Sequence, residues 1–108
     1  MQRPTRRFRR RTVRIEVEYI DAAGARSETA ITLGAGGLFI ESESPPKTGS
    51  VLELRFRLPG SNTCHEIKGR VVWTRRPGDP GRHTPGMGIQ FTDKPAIALL
   101  AHELEALD

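Results

Sequence analysis

The sequence lacks the features that mark disulfide-linked, membrane-spanning or exported proteins. It has one cysteine in 108 residues, Cys64, which excludes an internal disulfide and fits a reducing compartment. No apolar run approaches the roughly 18 residues that cross a bilayer. The basic start is not followed by the apolar core of a signal peptide. We therefore expect one cytoplasmic domain with no membrane span.

The sequence also has little that could serve catalysis or hold a metal. Its three histidines, His65, His83 and His102, are scattered without partners at metal-ligand spacing, so we expect them at the surface. Cys64 and His65 are adjacent, but neighbours on a strand point to opposite faces and do not form a nucleophile–base pair. The acidic residues are dispersed. The expectation is a protein that binds rather than catalyses, with no metal and no cofactor.

Arginine is concentrated at the start of the chain, where acidic residues are absent. The first 14 residues contain seven arginines, and no acid precedes Glu16. A guanidinium presents its donors in a planar fork, which suits phosphates and the O6/N7 edge of guanine better than a lysine does. The whole chain carries only +4, so the remainder is net acidic and the positive field is local. This segment indicates a site for an anionic, flat-faced ligand; a disordered basic tail is the alternative.

Alternation of apolar and polar residues predicts mostly β-strands. The predicted strands lie at 13–19, 26–33, 38–40, 52–58, 64–74 and 87–91. In the strand at 64–74, the alternation puts Ile67, Val71 and Trp73 on one face, and we expect Trp73 in the core; a tryptophan in a barrel wall that borders a ligand is the alternative. Short strands at this spacing favour a small antiparallel barrel.

The end of the chain changes to helical spacing. Asp93 or Thr92 can cap a helix that has Pro95 in its first turn, where proline is tolerated. The apolar residues on one face of this helix are Ile97, Leu100, Leu104 and Leu107. The helix is therefore expected at about 93–107, packed by one face on the rest of the protein.

The expected fold class is mainly β. A flexible arginine-rich arm at 1–11 precedes a domain at 12–108, which is a small antiparallel six-stranded β-barrel with the C-terminal helix. Three glycines, Gly34, Gly36 and Gly37, share one predicted turn. Either positive φ and close packing require them, or their backbone approaches a ligand.

Arg6-Arg7-Phe8-Arg9-Arg10 lies just ahead of the first predicted strand, and Gly37-Leu38-Phe39-Ile40 ends the glycine turn. These two motifs, in this order, resemble those of the PilZ domain, the bacterial receptor module for cyclic di-GMP. The family's first motif, RRxxR, lies just ahead of the first strand, and Arg6-Arg7-Phe8-Arg9-Arg10 matches it. Arg7 and Arg11 have the same spacing as Arg6 and Arg10. The inward residues of the following strand lie at odd offsets from Arg10, as in the family, so Arg6 and Arg10 are the preferred pair.

The family's second motif, (D/N)xSxxG followed by a hydrophobic strand, is matched in part. Gly37-Leu38-Phe39-Ile40 resembles its ending, whereas Thr32 stands where the family has Asp or Asn, and Gly34 stands where it has Ser. The resemblance implies a split-barrel PilZ-like fold over nearly the whole chain. It also implies cyclic di-GMP as the ligand, bound by Arg6, Arg7, Arg10, Thr32, Gly34, Gly36 and Gly37.

The resemblance further implies a receptor or adaptor. Its arginine arm becomes ordered when cyclic di-GMP binds, and its signal passes to a separate, unidentified partner protein. The altered second motif leaves a protein-interaction adaptor that no longer binds the nucleotide as the alternative. Nonspecific nucleic-acid binding is disfavoured, because Phe8 is the only aromatic residue in the arm and single-stranded binders use stacking platforms.

Overall fold

The alternating segments form antiparallel strands that close into a barrel. The computed structural model describes residues 11–79 and 84–107. Its elements are β1 (Arg11–Asp21), β2 (Gly24–Gly34), β3 (Gly37–Glu41), β4 (Val51–Arg57), β5 (Cys64–Arg75), β6 (Gly86–Phe91) and α1 (Lys94–Leu107). Around the barrel the order is β1-β2-β3-β6-β5-β4, and β4 pairs back onto β1. The predicted six-stranded antiparallel barrel with a C-terminal helix is confirmed.

The barrel interior is filled by the apolar residues of each alternating strand. In β4, Leu52, Leu54 and Phe56 are buried while the residues between them are exposed. Val17 and Tyr19 of β1 face them from the neighbouring strand and are almost fully buried. Burying a side chain of this size stabilises the fold by about 1.5–3 kcal/mol. The period-two pattern of the sequence therefore gives the correct inward face for these strands.

A β-bulge breaks the alternation near the end of β5. Val71 pairs with Ile89 of β6, but Trp73 pairs with Gly88, so two steps along β5 span one step along β6. The extra residue turns the following side chains to the other face. Trp73 is 39% exposed, whereas Val71 is fully buried. The expectation that Trp73 lies in the core is therefore wrong.

Helix α1 begins at a side-chain cap and packs against the barrel by one face. The Ala96 amide donates to Asp93 Oδ1 at 3.3 Å, as expected for a capping aspartate. Leu100 and Leu104 of the helix are buried in the core. At the other end of the helix, the Arg11 guanidinium donates to the Leu104 carbonyl at 3.2 Å, where a cation also complements the helix dipole.

A buried polar network also fixes α1 to the barrel. His65 of β5 is 3% exposed, and its Nε2 is in hydrogen-bond contact with Glu103 Oε1. The Ser61 hydroxyl donates to the other oxygen of the same carboxylate. His65 was expected at the surface, and this expectation is wrong. Its polar ring is satisfied inside the protein by a partner 38 residues away on the helix, which a local sequence pattern does not reveal. Cys64 is exposed, so the prediction that it and His65 face opposite sides is confirmed.

Candidate functional site

One cross-strand row runs over the outer face of the barrel and passes through Thr32. Thr12 of β1 pairs with Thr32 of β2, which pairs with Phe39 of β3. Phe39 pairs with Gly88 of β6, and Gly88 pairs with Trp73 of β5. Directly opposite residues on antiparallel strands share a face and have neighbouring side chains. We call these five residues the Thr32 row.

Irregular pairing is concentrated at this row. The register shifts between Thr12 and Ile15 in β1, between Ala30 and Thr32 in β2, and between Val71 and Trp73 in β5. Each shift therefore includes a member of the Thr32 row. Bulges bend a strand and re-aim its side chains, and they are common beside functional sites. The irregularity makes this face the strongest structural candidate for a site.

Two aromatic rings and a guanidinium form a cluster at one end of the row. The Phe39 and Trp73 ring centroids are 5.3 Å apart, with the ring planes inclined by 23°. The Arg75 guanidinium carbon lies 5.1 Å from the Trp73 centroid and 5.5 Å from that of Phe39. Arg75 also donates to the Thr84 carbonyl at 3.0 Å, which anchors it over the rings. We refer to Phe39, Trp73 and Arg75 as the aromatic cluster.

Glycines on β6 make room for the aromatic cluster. A Cβ at Gly88 would lie 2.2 Å from Nε1 of Trp73, and a Cβ at Gly86 would lie 2.5 Å from Cζ of Phe39. Both distances are far inside van der Waals contact. The rings therefore lie directly on the β6 backbone, and a side chain at Gly88 would displace the indole.

The Thr32 hydroxyl is buried in the middle of the row. Among the residues that the structure describes, it has no hydrogen-bond partner. A buried hydroxyl left in this state costs about 1–3 kcal/mol, so such groups are uncommon and call for an explanation. Thr32 is the residue that stands at the Asp/Asn position of the motif in the sequence.

The glycine turn between β2 and β3 lies beside the row. In the described part of the chain, positive φ occurs at Gly24, Gly49, Gly60 and Gly78, so Gly34, Gly36 and Gly37 do not need it. Close packing does account for Gly37, because a Cβ there would lie 2.0 Å from the Ile89 carbonyl oxygen. Phe91 donates its amide to the Gly36 carbonyl at 3.0 Å, which holds the turn against β6.

The described chain begins at Arg11, next to Thr12 of the Thr32 row. Arg6, Arg7 and Arg10 lie outside the described residues, as does the predicted arm apart from Arg11. Arg11 begins β1 opposite Leu33 of β2, and it directly follows Arg10 in the sequence. The motif is therefore connected to the barrel next to Thr12.

The barrel surface also has a concavity that Thr32 and the glycine turn do not line. It is an open groove of about 680 Å³ over the outer face of β1, β2, β4 and β5. Part of its charge is paired, since Arg55 lies 3.8 Å from Glu18 and 3.5 Å from Glu66. Of the residues that the sequence analysis singled out for ligand binding, those that the structure describes, namely Thr32, Gly34, Gly36 and Gly37, do not line this groove. Their placement favours the Thr32 row over the groove.

Within 11–79 and 84–107, no group of three or more histidine, cysteine, aspartate or glutamate residues is placed to hold a metal ion. No helix in the described part of the chain is long and apolar enough to cross a membrane.

Comparison with known families decides what kind of domain this is. The model of the PilZ domain family matches residues 4–107, which is almost the entire sequence. The chain belongs to the PilZ domain family. PilZ domains are typically receptor or adaptor domains.

Solved structures share the PilZ fold at low sequence identity. The Bacillus subtilis inhibitor of motility (MotI/DgrA) aligns with a TM-score of 0.73 at 17% identity, over 93% of this chain and 49% of that one. This chain thus spans about half the length of the Bacillus protein. The PilZ domain of CeSA from a cellulose-synthesizing bacterium aligns with a TM-score of 0.62 at 20% identity, covering 90% and 98% of the two chains.

An uncharacterized Legionella protein aligns with a TM-score of 0.58 at 15% identity, over 92% of each chain. No curated protein matches the sequence. At these identities the structural neighbours establish the fold alone.

Sequence reasoning found only part of the aromatic cluster. It favoured the core for Trp73, with a position beside a ligand as the alternative, and it assigned no ligand role to Phe39 or Arg75. The sequence feature that could have identified the cluster is the pairing of Trp73 with Gly88. A glycine beneath an aromatic ring allows the ring to lie flat on the sheet. That pairing depends on the β5–β6 register, which the bulge shifts by one residue.

Proposed function

We propose that this PilZ domain is a cytoplasmic receptor for cyclic di-GMP that signals to a separate partner protein. The observation that supports the proposal is the pairing of Thr32, from the second motif, with Thr12 of β1. Thr12 lies two residues after Arg10 in the sequence, so Thr32 is close along the chain to the segment that matches RRxxR. Family membership supplies the ligand class.

The chemistry of the ligand suits the residues at this face. Cyclic di-GMP carries two anionic phosphates and two guanines, and each guanine offers an O6/N7 edge and a flat face. Arg6, Arg7 and Arg10 can bind both kinds of group, since a guanidinium forms bidentate contacts with phosphate and with guanine. Ordering the arm on binding would give the protein two states that a partner can distinguish.

The second motif contributes less than in a PilZ domain with the full signature. The Thr32 hydroxyl is buried without a partner in the described structure, so it can bond to a guanine edge once the groups that cover it move aside on binding. Gly34 offers no hydroxyl, and its contribution is limited to backbone groups together with Gly36 and Gly37. Losing one charge-assisted and one neutral hydrogen bond weakens binding on the order of a hundredfold.

A serine, a glutamate and a histidine meet in the described part of the fold, and their arrangement also supports a binding role rather than catalysis. The Ser61 hydroxyl donates to Glu103 and not to His65, while His65 contacts the other carboxylate oxygen. A nucleophile needs a direct contact with its base, and this arrangement puts the carboxylate between them. Its role is to fix α1 to the barrel.

The route to a partner starts at the base of the arm. Arg11 follows the arginine motif and donates to the Leu104 carbonyl near the end of α1. A change in the arm on ligand binding can therefore reach the helix through one side chain. We propose α1, or the barrel surface that the arm leaves, as the partner-binding surface.

The test is isothermal titration calorimetry of the purified chain with cyclic di-GMP, with GTP as the control ligand. Arg10→Ala should abolish binding, and Arg57→Ala, which removes an exposed arginine from β4, should leave it unchanged. Binding at micromolar or lower Kd that Arg10→Ala removes supports the receptor. No heat and no thermal protection up to about a millimolar of ligand would contradict it.

The second candidate is an adaptor that keeps the barrel but does not bind the nucleotide. The observation in its favour is Gly34 at the position where the family has Ser. Retention of the RRxxR spacing argues against it. The same calorimetric titration separates the two functions.

A further inference from the structure

We propose that Arg14 and Glu41 form a guanine-reading pair at the edge of the Thr32 row. The Glu41 carboxylate accepts hydrogen bonds from N1–H and the N2 amino group of one base, and Arg14 donates to O6 and N7 of the same base. The inference rests on the proposed function, because it assumes that cyclic di-GMP binds at Thr32. Neither member of the pair belongs to the two sequence motifs.

The first argument is the position of the pair over β2. Arg14 lies on β1 and Glu41 lies on β3, and β2 runs between these two strands. Arg14 Nη1 nevertheless lies 3.9 Å from Glu41 Oε1, and 74% of the Arg14 side chain is exposed. The two charged groups therefore meet over the outer side of β2, which is the strand that carries Thr32.

The second argument is the short distance from the pair to Thr32. Thr32 pairs with Phe39, so Glu41, two residues further along β3, is its diagonal neighbour. Diagonal neighbours lie roughly 7–8 Å apart, a separation that long side chains span. Thr12, which pairs with Thr32, is likewise two residues from Arg14. A single base that contacts the Thr32 hydroxyl is thus within reach of both charged groups, and every contact lies on three adjacent strands.

The third argument is that the pair is open and contributes little to folding. A charge-assisted hydrogen bond is about 2.7–2.9 Å long. At 3.9 Å, Arg14 and Glu41 attract each other without closing such a bond. Exposed ion pairs of this kind add little to the free energy of unfolding. Both groups can therefore turn to a ligand without loss of a strong internal contact.

The fourth argument is the match between the pair and the base. Guanine presents two donors, N1–H and the N2 amino group, next to two acceptors, O6 and N7. An ionised carboxylate only accepts and a guanidinium only donates, so Glu41 beside Arg14 offers the complementary arrangement. The Arg14 cation also offsets the repulsion between the carboxylate and the ligand phosphates. Adenine lacks the two adjacent donors, so the pair selects guanine.

The test compares cyclic di-GMP with its inosine analogue. The hypoxanthine bases of the analogue lack the N2 amino group and keep N1–H, O6 and N7. In calorimetric titrations of the unmodified protein, the analogue should bind about 10- to 100-fold more weakly, the range for loss of one charge-assisted hydrogen bond. This comparison does not depend on whether a variant folds.

Variants assign the contacts to the two residues. Glu41→Ala should weaken cyclic di-GMP binding by about 10- to 100-fold and should weaken binding of the analogue by a smaller factor, so the preference for guanine shrinks. Arg14→Ala should weaken both ligands by a similar factor, because both keep O6 and N7. Glu53→Ala, which removes an exposed carboxylate from β4, is the matched control and should keep both affinities. Thermal melts establish that each variant is folded before its affinity is compared.

The outcomes separate this inference from the receptor function. Equal affinity of the unmodified protein for the two ligands, or an unchanged ratio of affinities in Glu41→Ala, overturns the guanine-reading pair and leaves the receptor standing. Tighter cyclic di-GMP binding by Glu41→Ala also overturns it, because that result means that the carboxylate only repels the phosphates. No calorimetric binding of cyclic di-GMP to the unmodified protein overturns both.

Discussion

The indole of Trp73 lies on the backbone of Gly88, so closely that a Cβ at position 88 would be 2.2 Å from Nε1. This contact explains how an aromatic side chain can remain partly exposed and still be fixed. It also makes Gly88 a point at which the candidate site can be disturbed without touching the arginine motif.

Gly88→Ala should displace Trp73 and destabilise the protein by about 1–3 kcal/mol, the usual range for overpacking. Tryptophan emission should shift to longer wavelength as the indole moves into water. Chemical denaturation followed by fluorescence measures both effects. Val72→Ala, at the exposed neighbour of Trp73, should change stability by less than about 0.5 kcal/mol. Unchanged emission in Gly88→Ala would show that the indole does not lie on this backbone.

Thr32→Val should change stability and binding in opposite directions. Valine keeps the shape of threonine but removes a buried hydroxyl that lacks a partner in the described structure. Free protein should gain about 1 kcal/mol, while cyclic di-GMP binding should weaken about fivefold through loss of one neutral hydrogen bond. Thermal unfolding and calorimetry on the same sample check the two signs. A variant that loses stability and binds normally would remove Thr32 from the site.

The network between α1 and β5 should make stability depend on pH. Hydrogen bonds from Ser61 and His65 hold the pKa of Glu103 below its ordinary value in the folded protein. The contribution of Glu103 to the free energy of unfolding is therefore complete above the pKa that this carboxyl has in the unfolded chain. It is lost as the pH falls through the pKa that the carboxyl has in the folded protein. Urea unfolding between neutral pH and about pH 3 should show this loss.

Glu103→Gln should flatten that acid-side loss and should destabilise the protein at neutral pH by about 1–2 kcal/mol. Glu105→Gln, at an exposed position of the same helix, is the matched control and should retain the wild-type pH profile. If both variants have the same profile as the unmodified protein, the Glu103 network does not stabilise the docked helix.

Gly37→Ala should damage the fold rather than the ligand contacts alone. The added Cβ would meet the Ile89 carbonyl oxygen at 2.0 Å, and backbone on the partner strand cannot move aside as a flexible side chain can. Separation of β3 from β6 should cost about 1–3 kcal/mol or more. Thermal unfolding checks this. A melting temperature equal to that of the unmodified protein would mean that the strands tolerate the extra atom.

The fold was predictable where the signal is local. Alternation in β1 and β4 identifies the inward faces, and Asp93 begins the helix that it was expected to cap. Each of these depends on residues within one element. The polar network at His65 was not predictable in this way, because Glu103 is 38 residues distant and meets it only after the helix packs on the barrel.

The candidate site was predictable in part. Motif spacing identified Thr32, and strand pairing places it beside Thr12 at the start of the barrel. Trp73 was assigned to the wrong face because a bulge inserts one residue into a period-two pattern, and the sequence has no marker for it. The roles of Arg6, Arg7 and Arg10 stay predictions.

The central claim is that cyclic di-GMP binds at Thr32 and the glycine turn beside it, and chemical-shift mapping tests it most directly. In two-dimensional NMR of isotopically labelled protein, titration with the ligand should shift the amide signals of Thr32, Gly36, Gly37 and Phe39. Signals from Glu18 and Arg55, which line the groove over β1, β2, β4 and β5, should stay in place. Shifts confined to the groove, or none at saturating ligand, would contradict the account.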